Sequence, residues 1–131
     1  MKDIAPRNDT FAPFCGIKLE ECKNGFARST MKVEQHHKNG IGTVHGGALF
    51  TLADYTFAAA ANSRGTDVHV VVAINAQISY MKAVTEGILT AIAEEIKFDT
   101  KVPVYIVKIF NEKKELVAVF NGMGYKKEVK K

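Results

Sequence analysis

Residues 39–54 read NGIGTVHGGALFTLAD, and this stretch decides the fold. It is rich in glycine up to the pair Gly46 and Gly47, and a helical pattern, ALFTLADYTFAAAANSRG, then follows without a break as far as Gly65. The first N–H groups of a helix have no partner inside the helix, and the helix dipole places partial positive charge there. Glycines also let another group approach the backbone closely. The sequence therefore predicts a site for a developing negative charge at Gly46 and Gly47.

Asp54 is the only Asp, Glu, Lys, Arg or His residue between His45 and Arg64. A carboxylate in so apolar a helix is costly unless it is paired, protonated or functional. The hydrophobic spacing predicts one buried helix face and a neighbouring stripe of smaller residues, which suits close approach by a second element. The buried face comprises Leu49, Leu52, Ala53, Thr56, Phe57 and Ala60, and the stripe comprises Gly47, Phe50, Thr51, Asp54, Ala58 and Ala61.

The distance between Gly46 and Asp54 bears on how they could cooperate. Eight residues separate them, which is about 12 Å along a helix. One substrate carbonyl cannot lie within about 3 Å of both groups on the same helix. If both act on one carbonyl, one of them comes from a second copy of the chain. Two antiparallel helices related by a two-fold axis would form two such shared sites.

The motif Asn-x-x-Gly-x-x-His-Gly-Gly, followed by an acid on the same helix, resembles that of the hotdog-fold acyl-CoA thioesterases. With AAAANSRG, ISYMKAV and FNEKKELVAVFNGMGY, the likeness extends from about Phe14 to Tyr125 and is strongest to the phenylacetate-pathway, hydroxyphenylacetyl-CoA thioesterase-like branch. The resemblance implies an α+β hotdog fold, with an antiparallel sheet of five to six strands wrapped around one long helix. It also implies hydrolysis of an aryl- or medium-chain acyl-CoA and a homo-oligomer, expected to be a dimer of dimers.

The resemblance implies roles for four catalytic residues. Asp54 is expected to attack the thioester carbonyl or to act as general base for water. The Gly46 N–H is expected to hold the carbonyl oxygen as it becomes an oxyanion. His45 is expected to contact the thioester region and to cap the helix. Asn39 matches a residue that hydrogen-bonds the water or the substrate, but Asn-Gly is also a turn dipeptide, and both interpretations stay open.

Three residues are expected to bind substrate: Gly47, Thr51 and Lys82. Lys82 falls where relatives carry a cation that reaches coenzyme A phosphates, although a solvated lysine is the alternative. Relatives hold the water with a Ser or Thr at positions that are Ala58 and Ala73 here. Thr51 or Asn39 is therefore expected to take that role.

Composition bounds the protein further. The length of 131 residues fits one domain over residues 1–131, with a short arm at 1–13 and a basic tail at 126–131. No apolar run approaches the roughly 20 residues of a membrane span, and no signal-peptide stretch opens the chain, so a cytoplasmic protein without membrane contact is expected. The net charge of +4 accompanies no nucleic-acid-binding motif, so no nucleic-acid partner is expected.

The candidate metal ligands match no known ligand pattern. Cys15 and Cys22 fit no zinc spacing, and two reduced, partly buried thiols are expected. His36 and His37 are adjacent in a polar connection, where a solvent-exposed pair is expected. Neither a metal nor a dissociable cofactor is therefore expected.

The sequence before and after the predicted helix shows strand patterns. Residues 17–22 and 26–33 form a predicted hairpin around Asn24-Gly25, and four further strands are predicted at 68–81, 87–98, 102–110 and 116–125. Residues 68–81 alternate strictly, which predicts that their even-numbered side chains cover the helix.

Two other functions compete with thioester hydrolysis. A hotdog hydroxyacyl dehydratase would use a His and an acid, but its His must reach the substrate α-carbon, which His45 at the helix mouth suits less well. A non-catalytic acyl-CoA-binding sensor would need a DNA-binding appendage, which 131 residues do not accommodate.

Overall fold

The computed structural model describes residues 9–64 and 69–128. In chain order its elements are helix α1 (Phe11–Phe14), strands β1 (Ile17–Lys23) and β2 (Phe26–Lys32), a 3₁₀ turn (Gln35–His37), helix α2 (Gly46–Ala61), and strands β3 (His69–Tyr80), β4 (Ile88–Lys97), β5 (Val104–Phe110) and β6 (Leu116–Glu128). The strands form one antiparallel sheet in the order β1-β2-β4-β5-β6-β3. This is the α+β arrangement of six strands and one long helix that the sequence predicts.

Helix α2 packs on the sheet through the predicted face. All six of its residues are at most 4% exposed: Leu49, Leu52, Ala53, Thr56, Phe57 and Ala60. Phe57 lies edge-on to Tyr105 of β5, with ring centroids 5.5 Å apart. Its ring also sits over Gly122 of β6, where an added Cβ would lie 2.9 Å from it. Close packing against β5 and β6 thus fixes the helix on the sheet, and with it the position of the helix N-terminus.

The first hairpin forms as predicted. Asn24 and Gly25 both have positive φ, 50° and 82°, as the favoured two-residue hairpin turn requires. Strands β1 and β2 pair directly across it, from Lys23 with Phe26 outward.

Strand β3 is an edge strand, and the prediction for its faces is wrong in its first half. The register shifts between Ala73 and Asn75, which is a β-bulge. One extra residue turns the alternation over, because successive side chains point to opposite faces. Val71 is therefore buried before the bulge, while Val72 and Ile74 are 40% and 55% exposed. After the bulge the even-numbered Ala76 and Ile78 are half-buried, as predicted.

Several boundaries differ from the predicted ones. Helix α2 ends at Ala61, and the Asn62 side chain bonds the Ala58 and Val71 carbonyls, so the helix is shorter than its sequence pattern. Strand β6 continues through Glu128 into the expected tail, and α1 begins within the expected arm and ends one residue beyond it, at Phe14. The predicted helix end at Gly65, the predicted strand start at Val68 and the outer parts of the arm and tail lie outside the described residues.

No helix within residues 9–64 and 69–128 is long and apolar enough to cross a membrane.

Candidate active site

Helix α2 begins at the glycine pair, and His45 caps it. The His45 backbone is extended, and its ring Nδ1 accepts a hydrogen bond from the Gly47 N–H at 3.0 Å. Because Nδ1 is an acceptor here, the ring proton lies on Nε2. The expected capping role of His45 is what the geometry shows. The cap satisfies the second N–H of the helix and leaves the first, that of Gly46, for another acceptor.

The Gly46 N–H has the properties of an oxyanion-binding donor. Within residues 9–64 and 69–128 nothing accepts a hydrogen bond from it. It is the first N–H of a 16-residue helix, where the partial positive charge of the helix concentrates. A negatively charged oxygen placed there would meet a pre-oriented donor.

Tyr80, at the end of β3, packs directly on Gly46. Its hydroxyl donates to the Gly46 carbonyl at 3.1 Å. A Cβ added at Gly46 would lie 3.0 Å from the Tyr80 ring, which is tighter than ordinary contact. Position 46 therefore favours glycine because the neighbouring strand covers it.

A cavity of about 550 Å³ opens beside Gly46. Its walls are Asn39, Thr43, Val44, Gly46, Leu49, Tyr80, Met81, Lys82, Ala83 and Val84. Three of the predicted site residues, Asn39, Gly46 and Lys82, thus meet in one place. The Lys82 ammonium is 3.9 Å from the Glu115 carboxylate, and both side chains are 46% exposed. A weak ion pair at the surface leaves Lys82 able to contact an anionic group of a ligand.

The Asn39 side chain mainly organises its own loop. Its Oδ1 accepts hydrogen bonds from the backbone N–H groups of Ile41 and Thr43, both at 3.1 Å. Its amide donates to the Thr43 hydroxyl at 2.9 Å. These contacts correspond to the turn interpretation of Asn39. The second amide hydrogen of Asn39 has no acceptor among the residues that the structure describes, since an Asn amide has two and only one is bonded.

A second cavity, of about 440 Å³, lies on the other flank of the helix N-terminus. It brings together the predicted residues His45, Gly47 and Thr51, with Phe11, Phe14, Cys15, His36, His37, Lys38 and Ala48 as further walls. The Thr51 hydroxyl donates to the Gly47 carbonyl at 2.8 Å, so only its oxygen lone pairs remain for a water or substrate.

Asp54 lines neither of these two cavities. It is half-buried on α2, two turns beyond the glycine pair, and no group in residues 9–64 and 69–128 donates a hydrogen bond to it. Burial raises the pKa of its carboxyl above the ordinary value, and the negative charge of Asp9 raises the pKa further. A carboxylate held without a donor is a stronger base than a solvated one.

The prediction of a solvent-exposed histidine pair is right for His36 and wrong for His37. His36 is exposed, but His37 is 4% exposed. Its Nδ1 accepts from the Glu34 N–H at 2.9 Å, and its Nε2 lies 2.7 Å from the Cys15 carbonyl oxygen. Both ring nitrogens are engaged, so neither is left to bind a metal. The described residues contain no group of three or more His, Cys, Asp or Glu side chains that could hold a metal ion.

The two cysteines are half-buried and form no disulfide, as expected. Cys15 lines the second cavity, but burial raises the pKa of its thiol, with Asp9 adding to the effect. A thiol with a raised pKa is protonated at neutral pH and is a poor nucleophile.

Sequence reasoning missed two contacts of the site. The alternation of residues 68–81 predicts that Tyr80 covers the helix, but no local pattern shows that its hydroxyl reaches Gly46 across 34 residues. The polar neighbours of His37 in the sequence predict an exposed side chain. A 3₁₀ turn rotates one of two adjacent histidines inward, and the sequence contains no strong signal for so short an element.

Comparisons with known proteins show which family the chain resembles. The profile of the thioesterase superfamily matches residues 41–118, which contain the helix and most of the sheet. A protein of Archaeoglobus fulgidus is 35% identical over 96% of this chain and 80% of its own length. The acyl-coenzyme A thioesterase PaaI of Escherichia coli is 36% identical over 91% of this chain and 84% of its own length.

Two solved structures show the same fold. The E. coli PaaI protein from the phenylacetic acid degradation operon superimposes with a TM-score of 0.88, at 34% identity, covering 95% of this chain and 88% of that one. A variant of the phenylacetic acid degradation protein PaaI from Thermus thermophilus gives a TM-score of 0.82 at 31% identity, covering 89% and 98%. The hotdog fold and the enzyme class expected from the sequence are thereby confirmed, and the chain belongs to the thioesterase superfamily.

Proposed function

We propose that this protein hydrolyses an acyl-CoA thioester to a carboxylate and free coenzyme A. One observation carries the proposal: Gly46, whose N–H has no acceptor within residues 9–64 and 69–128, begins α2 and lines a cavity together with Asn39 and Lys82. Thioester hydrolysis develops negative charge on the carbonyl oxygen, and a fixed backbone donor stabilises that charge more than it stabilises the substrate.

The chemical step needs a nucleophile opposite this donor. A water molecule, deprotonated by the Asp54 carboxylate, adds to the thioester carbon, or Asp54 itself adds and forms an anhydride that water then hydrolyses. In both routes the carbonyl oxygen becomes an oxyanion at the Gly46 N–H. The C–S bond then breaks, coenzyme A leaves as the thiolate, and the net reaction consumes one water. The raised pKa of Asp54 suits either role.

Asp54 of a second copy completes the site in this proposal. Gly46 and Asp54 lie on one straight helix, and Asp54 lines neither cavity at the helix mouth. The open edge of β3, with Ile74 and Tyr80 more than half exposed, is the surface on which the second copy would dock. Two copies joined there make a dimer with two shared sites, and we expect two dimers to assemble into a tetramer.

The remaining residues bind and position the substrate. Lys82 contacts a coenzyme A phosphate, while Gly47 and Thr51 contact the substrate near the thioester. Thr51 or the second amide hydrogen of Asn39 holds the water that Ala58 and Ala73 cannot hold. His45 contributes through its cap and its Nε2–H, and not as the base, because Nδ1 is already an acceptor. That engagement also disfavours a dehydratase, which requires its histidine to accept a proton.

The reaction as proposed uses no metal and no dissociable cofactor, since Gly46 supplies the electrophile-stabilising donor and Asp54 the base. We place the reaction in the cytoplasm, and we expect the acyl group to be aryl or medium-chain.

Free-thiol release tests the proposal. The purified protein is assayed with aryl, short-chain and medium-chain acyl-CoA substrates, before and after EDTA treatment, beside Asp54→Asn. We expect hydrolysis of at least one aryl or medium-chain substrate, no effect of EDTA, and a loss of about a hundredfold or more in the variant. Absence of thiol release across the panel, or an Asp54→Asn variant within tenfold of the parent, contradicts the proposal.

A further inference from the structure

The buried imidazole of His37 connects its own 3₁₀ turn to the end of α1. Its Nδ1 accepts from the Glu34 N–H at 2.9 Å, and its Nε2–H donates to the Cys15 carbonyl at 2.7 Å. Cys15 caps the end of α1. A ring that is 4% exposed and bonded through both nitrogens has one orientation and one tautomer.

The His37 backbone extends this link to the active site. Its carbonyl accepts from the His45 N–H at 2.7 Å, beside the bridge between Lys38 and Val44. His45 is thus held at both ends: its N–H bonds His37, and its ring caps Gly47. The peptide bond between His45 and Gly46, which carries the Gly46 N–H, lies between these two hydrogen bonds.

We infer that His37 is a positioning residue for the Gly46 oxyanion donor. It acts through the backbone of His45 and touches no reacting atom. The inference rests on the proposed thioester hydrolysis. An oxyanion donor acts in the transition state, and a displacement of about 1 Å in such a group lowers the rate by about a hundredfold. Loss of the His37 ring therefore lowers kcat and leaves KM nearly unchanged.

A matched control exists at the other end of the same helix. Asn62 is also a buried polar side chain, 9% exposed, and it bonds the Ala58 carbonyl and both backbone groups of Val71. His37→Ala and Asn62→Ala each remove a buried polar clamp from one end of α2. Comparing the two variants distinguishes a loss of overall stability from a change in backbone geometry at the N-terminus of α2.

The experiment compares His37→Ala, His37→Asn and Asn62→Ala with the parent. Asn at 37 keeps an acceptor near the Nδ1 position and loses the reach to Cys15. We expect similar losses of Tm in the two Ala variants. Only His37→Ala should lose kcat, by about tenfold to a hundredfold with KM within about threefold, and His37→Asn should recover part of it. If His37→Ala does not fold, the same kcat and KM comparison is made on His37→Asn.

A second measurement does not depend on activity. Amide hydrogen exchange of Gly47, observed by NMR, reports whether the His45 cap still holds. We expect faster exchange in His37→Ala and parental exchange in Asn62→Ala. A parental kcat in folded His37 variants, or equal losses of kcat and of Gly47 protection in Asn62→Ala, would overturn the inference. A parent that hydrolyses no thioester would refute the proposed function alone, because the exchange comparison still tests the positioning.

Discussion

Asp54 lies where burial and a neighbouring negative charge both oppose its ionisation. The proposed reaction needs the carboxylate, so activity should fall as the pH drops through the raised pKa of this group. Asp9→Asn removes the neighbouring charge but keeps an oxygen that can accept from the Ala12 N–H, now bonded at 2.8 Å. We expect the acid limb of kcat to move to lower pH in Asp9→Asn, with the plateau unchanged. A pH profile that does not move would show that Asp9 does not influence the ionisation of Asp54.

The raised pKa of Asp54 also predicts how the stability of the fold depends on pH. A group with a higher pKa in the folded state stabilises the fold below its unfolded pKa, and that contribution is lost as the pH rises through the folded pKa. At neutral pH the ionised Asp54 is therefore a cost. Asp54→Asn should have a higher Tm than the parent at pH 7. The difference should shrink as the pH falls through the raised pKa of Asp54 and be absent below about pH 4, near the ordinary pKa of Asp. Thermal melts across this window test the sign, and a variant less stable at pH 7 would contradict it.

Lys82 is expected to recognise the phosphates of coenzyme A and not the acyl group. Lys82→Met keeps the apolar stem and removes the charge. We expect KM to rise by roughly tenfold for an acyl-CoA and to stay unchanged for the matching N-acetylcysteamine thioester, which has no phosphate. Glu115→Gln is the control, because it releases Lys82 from its partner 3.9 Å away and should not raise KM. An equal rise in KM for both substrates would show that Lys82 does not act by binding a coenzyme A phosphate.

At the scale of the helix, the His45 cap allows stability and activity to be separated. His45→Ala removes the acceptor for the Gly47 N–H, now at 3.0 Å, and should cost about 1 kcal/mol in the free energy of unfolding. His45→Asp restores a good cap and suits the helix dipole, so stability should recover. Its carboxylate would lie beside the developing oxyanion, however, so kcat should fall further than in His45→Ala. Denaturant melts and kcat values for both variants test this, and equal recovery of both quantities would argue against an oxyanion at Gly46.

The elements show what the sequence could and could not predict. The buried face of α2 and the Asn24-Gly25 hairpin follow from local periodicity and turn chemistry, which act within a few residues. The bulge in β3 does not, because it depends on pairing with β6, far along the chain. The burial of His37 and the contact of Tyr80 with Gly46 likewise depend on segments that meet only after folding. The resemblance to a family supplied the roles of site residues, which spacing alone left open.

At the scale of the whole molecule, the shared site can be tested by mixing subunits. Asp54→Asn chains keep Gly46, and Gly46→Pro chains keep Asp54 but lack the N–H. Proline fits the first position of a helix, and the extended His45, with ψ of 139°, is compatible with a following proline. Each hybrid dimer has one intact site, so an equal mixture of two inactive variants should reach about a quarter of the parental activity.

Subunit exchange is verified by native mass spectrometry. Gly46→Ala is the control for the added Cβ, which would lie 3.0 Å from Tyr80 while the N–H remains. An inactive mixture with proven exchange would exclude sites built from two chains.

The strand order has a consequence for synthesis. Strand β3 has β6 as its one neighbour in the sheet, and β6 is the most C-terminal described strand, so β3 cannot join the sheet until residues 116–128 have left the ribosome. Strands β1 and β2 and helix α2 emerge much earlier. Two features therefore form last. One is the edge of β3 on which a second copy would dock, and the other is the contact between Tyr80 and Gly46. A nascent chain stalled before β6 would carry an unpaired β3 and no finished oxyanion site. Such a chain is prone to aggregate through the unpaired strand.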